Sequence, residues 1–317
     1  MKIFIGILIT LLIVLSFPYL YKILQLKTLS KSDLPKEGEW ATLSSGNIYY
    51  QWHEPTKKLN NEVVILVHGF STPSFVWNGL LLDLLESGFR VLVFDHYGRG
   101  YSERPSTNYD KEFYVTELND LVNHQNILKP FHLVGYSMGG VIVSFYADQY
   151  PKKVRSLSLI APAGFSDPVV IPKLNNLMYY PIIGEWFFNV FNYRFQNLLM
   201  PETEKSNDER SISQKEYKRL FQEQFKYRGC IESLLSTIRN FNMFSTLEMY
   251  TRLGERDNPV LVIWGKQDGV VSFSGTENLK KVIPQAELVS IEDGTHDITF
   301  RRPTKVGKVL SKFIQQN

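Results

Sequence analysis

A serine hydroxyl attacks a carbonyl only when a base takes its proton and an acid holds that base. Three residues of this chain could form such a relay. Ser137 lies in Gly135-Tyr136-Ser137-Met138-Gly139-Gly140. That segment follows the expected strand Phe131–Val134 and precedes a helical pattern, a strand–turn–helix context that presents a serine on a sharp turn. Glycines at 135 and 139 leave room where the chain packs tightly around a strained serine. His296, in Asp293-Gly294-Thr295-His296-Asp297, follows the last expected strand and is the candidate base. Asp268, in Trp264-Gly265-Lys266-Gln267-Asp268-Gly269, follows the strand Val260–Ile263 and is the candidate acid. Asp167 is a second candidate acid, after the preceding strand. Asp297 adjoins His296 in sequence, which makes the orienting contact difficult. Acyl transfer also needs donors for the oxyanion. The candidates are the backbone N–H of Met138, directly after the serine, and that of Phe70 in the loop His68-Gly69-Phe70-Ser71-Thr72. His68 reads as a residue that holds this loop by hydrogen bonds rather than as a catalytic one.

The elements that must carry these residues alternate. Residues 47–52, 63–67, 91–94, 131–134, 154–160, 260–264 and 286–291 are rich in β-formers, and several are continuous aliphatic runs, as expected of strands buried on both faces. Helical patterns cover 79–86, 112–126 and 138–149. The expected fold class is α/β, a mostly parallel doubly wound sheet. From 163 to 258 no clear sheet strand appears, and a structureless loop of that length is improbable. This interval reads as an inserted helical cap. Tyr179, Tyr180, Trp186, Phe187, Phe188, Phe191, Tyr193 and Phe195 crowd its first half. The cap's own core accounts for most of them, and some would face the site. The sheet core is then expected over 38–162 and 259–317.

Residues Ile3 to Tyr21 carry no charge and are bracketed by Lys2 and Lys22. As a helix they would reach about 28 Å, close to the ~30 Å hydrocarbon layer. Residues 1–22 are therefore expected to be a single-pass membrane anchor, followed by a polar linker over 23–37. A cleaved secretory signal, leaving a secreted or periplasmic domain, is the other reading. The length of the run and the bulky residues after it favour the anchor. Lys22, Lys27, Lys31 and Lys36 favour a cytoplasmic domain, whereas a signal-anchor would place it on the other side. The side stays open.

Composition excludes other classes. The net charge of +3 is small and the basic residues are dispersed, so no nucleic-acid partner is expected. One cysteine, Cys230, rules out an internal disulfide. The six histidines are scattered, with no Cys/His cluster at zinc spacing, so neither a metal nor another cofactor is expected.

The motifs His68-Gly69-Phe70, Asp95-His96-Tyr97-Gly98-Arg99-Gly100-Tyr101-Ser102, Gly135-Tyr136-Ser137-Met138-Gly139-Gly140, Trp264-Gly265-Lys266-Gln267-Asp268 and Gly294-Thr295-His296 occur in an order that resembles the α/β-hydrolase fold-1 family. The resemblance implies an α/β-hydrolase fold, a triad of Ser137, Asp268 and His296, and structural roles for Asp95 and Arg99 in their turn. Epoxide hydrolases and haloalkane dehalogenases of this fold carry aspartate where Ser137 stands, so those activities are disfavoured. The leading expectation is hydrolysis of a carboxylic ester, lipid-like or small. Carbon–carbon bond hydrolysis of ring-cleavage diketones, cofactor-free haloperoxidase-like chemistry and a non-catalytic hydrolase-like binding protein stay open as alternatives. A capped domain behind an anchor also resembles membrane-bound monoacylglycerol lipases in architecture.

Overall fold

Val63–Val67, Phe131–Tyr136 and Val260–Gly265 are buried along their whole length, the signature of central strands covered on both faces. A computed structural model describes residues 2–57, 61–165, 173–200, 206–244 and 246–317. Helix α1 (Lys2–Gln25) leads to the hairpin β1 (Glu39–Leu43) and β2 (Gly46–His53). Alternation follows through β3 (Val63–Val67), α2 (Leu81–Glu86), β4 (Arg90–Phe94), α3 (Lys111–His124), β5 (Phe131–Tyr136), α4 (Met138–Gln149) and β6 (Val154–Ile160). Five helices come next: α5 (Ile183–Val190), α6 (Asn192–Leu199), α7 (Gln214–Glu223), α8 (Cys230–Asn240) and α9 (Leu247–Gly254). The chain closes with β7 (Val260–Gly265), α10 (Gly275–Val282), β8 (Glu287–Ile291), α11 (Ile298–Arg301) and α12 (Pro303–Gln316).

The eight strands form one sheet in the order β1-β2-β4-β3-β5-β6-β7-β8. β2 is antiparallel to both neighbours, and every other pairing is parallel. The expected α/β class and mostly parallel sheet are observed. β1 is a strand not expected from the sequence. Glu39-Trp40-Ala41-Thr42-Leu43 is an edge strand that buries only Ala41, so it carries no aliphatic run. α3 shows how the helices cover the sheet: it buries Tyr114, Val115, Leu118, Leu121 and Val122 on one stripe. Asp110 caps it by accepting a hydrogen bond from Phe113 N–H at 2.9 Å.

Among the described residues, the interval between β6 and β7 holds helices and no sheet strand. Its aromatics divide. Phe188 and Phe195 are buried, with ring centroids 4.6 Å apart, while Tyr179, Tyr180 and Tyr193 are exposed. This insertion also binds α1. Trp186 Nε1–H donates to the Leu15 carbonyl at 2.6 Å, and beyond α1 the Lys27 N–H donates to the Lys226 carbonyl at 2.9 Å. Arg228 N–H returns a hydrogen bond to the Lys27 carbonyl at 2.9 Å. The first part of residues 23–37 continues α1 and then pairs with the insertion.

Among the described residues no helix is long and apolar enough to cross a membrane. A single-pass span over residues 1–22 is therefore not shown. The helix touches the insertion at Leu15, while Phe17, Leu20 and Leu24 beyond that contact are exposed. Ile3, Phe4, Ile7, Ile13 and Val14 before it are exposed as well.

Candidate active site

Ser137 ends β5 and precedes α4 with φ 55° and ψ −119°, a backbone conformation that non-glycine residues avoid. Its N–H is held by the Ile160 carbonyl at 2.9 Å. Close packing keeps it there. A Cβ on Gly139 would lie 2.2 Å from the Val67 carbonyl oxygen, and one on Gly135 would lie 2.4 Å from the Gly139 carbonyl oxygen. Only hydrogen fits at either position, so the motif's glycines follow from sterics.

His296 and Asp268 arrive from the neighbouring strand ends. The loops after β7 and β8 are tied by Lys266 N–H to the Ile291 carbonyl and by Gln267 N–H to the Gly294 carbonyl, each at 2.9 Å. This register sets the two side chains face to face. His296 Nδ1 lies 2.8 Å from Asp268 Oδ2, and His296 Nε2 lies 3.0 Å from Ser137 Oγ. Asp268 Oδ1 accepts from the N–H groups of Val270 and Val271 at 2.9 and 2.8 Å, and the carboxylate is fully enclosed. Those two donors fix the orientation of the carboxyl group. The contact between Nδ1 and Asp268 places the ring's other nitrogen, Nε2, toward the serine hydroxyl as its acceptor.

The structure thus brings together the three residues expected to form a relay. Asp297 points elsewhere, toward Thr295 Oγ1 and the Arg301 guanidinium. Asp167 lies outside the described residues.

Met138 opens α4, where first-turn N–H groups lack intrahelical partners and the helix dipole favours negative charge. The Phe70 loop lies against the serine from the β3 side: a Cβ on Gly69 would contact Ser137 Cβ at 3.1 Å. Both candidate oxyanion donors therefore flank Ser137. His68 is fully buried and hydrogen-bonds the Gly69 carbonyl and the His96 N–H, as expected of a loop-holding residue. Burial pushes its ring well below the usual histidine range. Asp95 accepts from the N–H groups of Ser74 and Tyr101 at 2.8 and 2.9 Å and shapes its turn.

Arg99 does more than the sequence suggested. Its Nε–H donates to the Phe70 carbonyl at 2.6 Å, and its other nitrogens donate to Ser233 and Thr237 of α8, each at 3.0 Å. Gln224, between α7 and α8, adds a bond from Nε2–H to the Ser71 carbonyl at 2.8 Å. The insertion is therefore fastened to the loop that carries Phe70. No spacing rule finds such contacts, because they depend on how two distant segments meet. Cys230 is no rival nucleophile, since it is buried and burial pushes its thiol up to about 11. Among the described residues no cluster of His, Cys, Asp and Glu could hold a metal ion.

Residues 62–303 match the family model described as alpha/beta hydrolase fold. The chain belongs to the α/β-hydrolase family. Among α/β-hydrolases, it is 27% identical over 282 residues to monoacylglycerol lipase abhd6-B of Xenopus laevis, covering 86% of this chain and 80% of that protein. It is 29% identical over 276 residues to lipase 3 of Moraxella sp. (strain TA144), covering 84% and 80%. A solved structure described as a membrane phospholipase A superposes with a TM-score of 0.66 at 20% identity, covering 100% of this chain and 99% of that one. That likeness is one of fold.

Proposed function

We propose that the chain is a serine hydrolase that cleaves a carboxylic ester through an acyl-enzyme on Ser137. The observation that carries this reading is the continuous relay from Ser137 Oγ through His296 to Asp268, at 3.0 and 2.8 Å. His296 Nε2 takes the hydroxyl proton as Ser137 Oγ attacks the ester carbonyl. Asp268 holds the imidazolium that forms. The N–H groups of Phe70 and Met138 receive the oxyanion. His296 then protonates the departing alcohol, and with water as nucleophile it acts as base again to release the acid.

The relatives' names, a monoacylglycerol lipase and a lipase, support a lipid-like ester as substrate. We read the helical insertion as the cap expected over 163–258, and its ties to the Phe70 loop favour a role in shaping the acyl pocket. The exposed apolar residues of α1 support attachment to a lipid surface. The membrane description and full-length superposition of the phospholipase A structure agree with that attachment.

Turnover of p-nitrophenyl esters and monoacylglycerols, together with fluorophosphonate labelling, tests the reading. The wild type should hydrolyse these esters and label, and Ser137→Ala should do neither. Preferential turnover of vinylogous diketones, or ester turnover that survives in Ser137→Ala, would replace it.

A further inference from the structure

Glu117 sits within the apolar stripe of α3, and neither its side chain nor that of His96 is exposed. A carboxyl group in that position must be paired or protonated. Glu117 Oε2 makes a close hydrogen bond with His96 Nδ1, and Oε1 accepts the Tyr97 N–H. On the far side of the His96 ring, Nε2 lies 3.2 Å from the His68 carbonyl, which can only accept, so that nitrogen bears hydrogen. His96 N–H donates to His68 Nε2 at 2.9 Å, which makes His68 Nδ1 the hydrogen-bearing nitrogen of the second ring. His68 Nδ1–H then donates to the Gly69 carbonyl at 2.8 Å. That carbonyl belongs to the peptide unit whose N–H is the Phe70 donor.

We propose that Glu117, His96 and His68 form a buried positioning chain that aims the Gly69–Phe70 peptide at the oxyanion, with Glu117 supplying the proton at its far end. The proposal rests on the ester-hydrolase reading for the role of Phe70. A hydrogen bond to a peptide carbonyl fixes the peptide plane and polarises its N–H, strengthening it as a donor. Two bare acceptors cannot share the close Glu117–His96 contact, so one proton lies between them. Burial places it on Glu117: it holds that carboxyl well above its usual range and lowers His96 to about 3. The Arg99 guanidinium also disfavours a charged His96, while it opposes the rise at Glu117. The other titratable groups facing the pair are His68, Tyr97, Tyr109 and Tyr114. In the neutral state the chain runs Glu117 Oε2–H to His96 Nδ1, His96 N–H to His68 Nε2, and His68 Nδ1–H to the Gly69 carbonyl.

The experiment compares full-length wild type, Glu117→Gln and Glu117→Leu by steady-state kinetics, by the rate of fluorophosphonate labelling and by nitrogen-15 NMR of the histidine rings. Glutamine reproduces the donor and acceptor pattern of a protonated glutamate. Glu117→Gln should therefore keep kcat within about threefold. Glu117→Leu should lower kcat and labelling rate together by about 10²-fold with little change in KM, the size of a misplaced oxyanion donor. His96 Nδ1 should resonate as a bare acceptor nitrogen at neutral pH in both wild type and Glu117→Gln. An imidazolium spectrum for His96, a loss above tenfold in Glu117→Gln, or a folded Glu117→Leu with wild-type kcat would each overturn the proposal. If Glu117→Leu fails to fold, the spectrum and the Glu117→Gln labelling rate decide alone. Wild-type inactivity on esters bears only on the substrate reading, because the spectrum and the labelling rate report on the chain without an ester.

Discussion

Asp268 does two jobs with two oxygens, one on His296 Nδ1 and one on the paired N–H groups of Val270 and Val271. Asparagine could keep much of that geometry but would hold the imidazole in the wrong tautomer. Asp268→Asn is therefore expected to lower kcat by about 10⁴-fold while the fold persists, as steady-state kinetics and circular dichroism would show. Ser137, Asp268 and His296 were legible in the sequence because each lies within a short motif at a strand end. Glu117 and Arg99 were less so. Glu117 left one usable trace, a lone acid within the apolar stripe of an amphipathic helix. For Arg99 the motif pointed only to its own turn, because its partners Phe70, Ser233 and Thr237 come from segments far apart in the chain.

The turn from β5 to α4 is held by backbone on backbone contacts that cannot give way. A methyl group at position 139 would meet the carbonyl oxygens of Val67 and His68 at 2.2 and 2.5 Å. Gly139→Ala is expected to cost more than about 3 kcal/mol, read as a fall of roughly 5 °C or more in Tm. β5 also carries a pH-sensitive histidine. His132 is buried beside Ser156 Oγ at 2.7 Å, and burial lowers its pKa from 6.5 to about 4, with the Arg155 charge adding to the effect. The unfolded chain binds this proton first, so the term stabilises the fold above pH 6.5 and is lost as pH falls toward 4. In denaturant titrations the stability gap between wild type and His132→Gln should narrow across that window, by up to about 1.4 kcal/mol per pH unit. A gap that stays constant would count against a neutral buried ring. β3 and β7 were legible because Val63–Val67 and Val260–Ile263 are continuous aliphatic runs. β1 was not, because an edge strand with one buried residue has no such run.

At the scale of the whole molecule, concavity alone would misplace the site. A cavity of 1260 Å³ lined by Glu54, Arg90, Gln125 and Arg155 lies at the amino ends of the parallel strands, whereas Ser137, Asp268 and His296 stand at the carboxyl ends, where open α/β sheets place their chemistry. The insertion reaches that end through Arg99 and Gln224, and it also grips α1 through Trp186 and Lys226. Sequence hydropathy revealed the apolar helix but could not show that the insertion touches it at Leu15. If its exposed apolar residues enter a lipid surface, the double variant Ile3→Lys, Ile7→Lys should lose vesicle co-sedimentation by at least about 10²-fold while turnover of a water-soluble ester is unchanged. Equal co-sedimentation would separate α1 from membrane attachment. The central claim is an acyl-enzyme on Ser137, and rapid acid quench of ester turnover followed by peptide mass mapping tests it most directly. The peptide containing Ser137 should carry the mass of the acyl group, and Ser137→Ala should show neither adduct nor turnover. Steady turnover with the acyl group on another residue, or turnover that survives in Ser137→Ala, would contradict it.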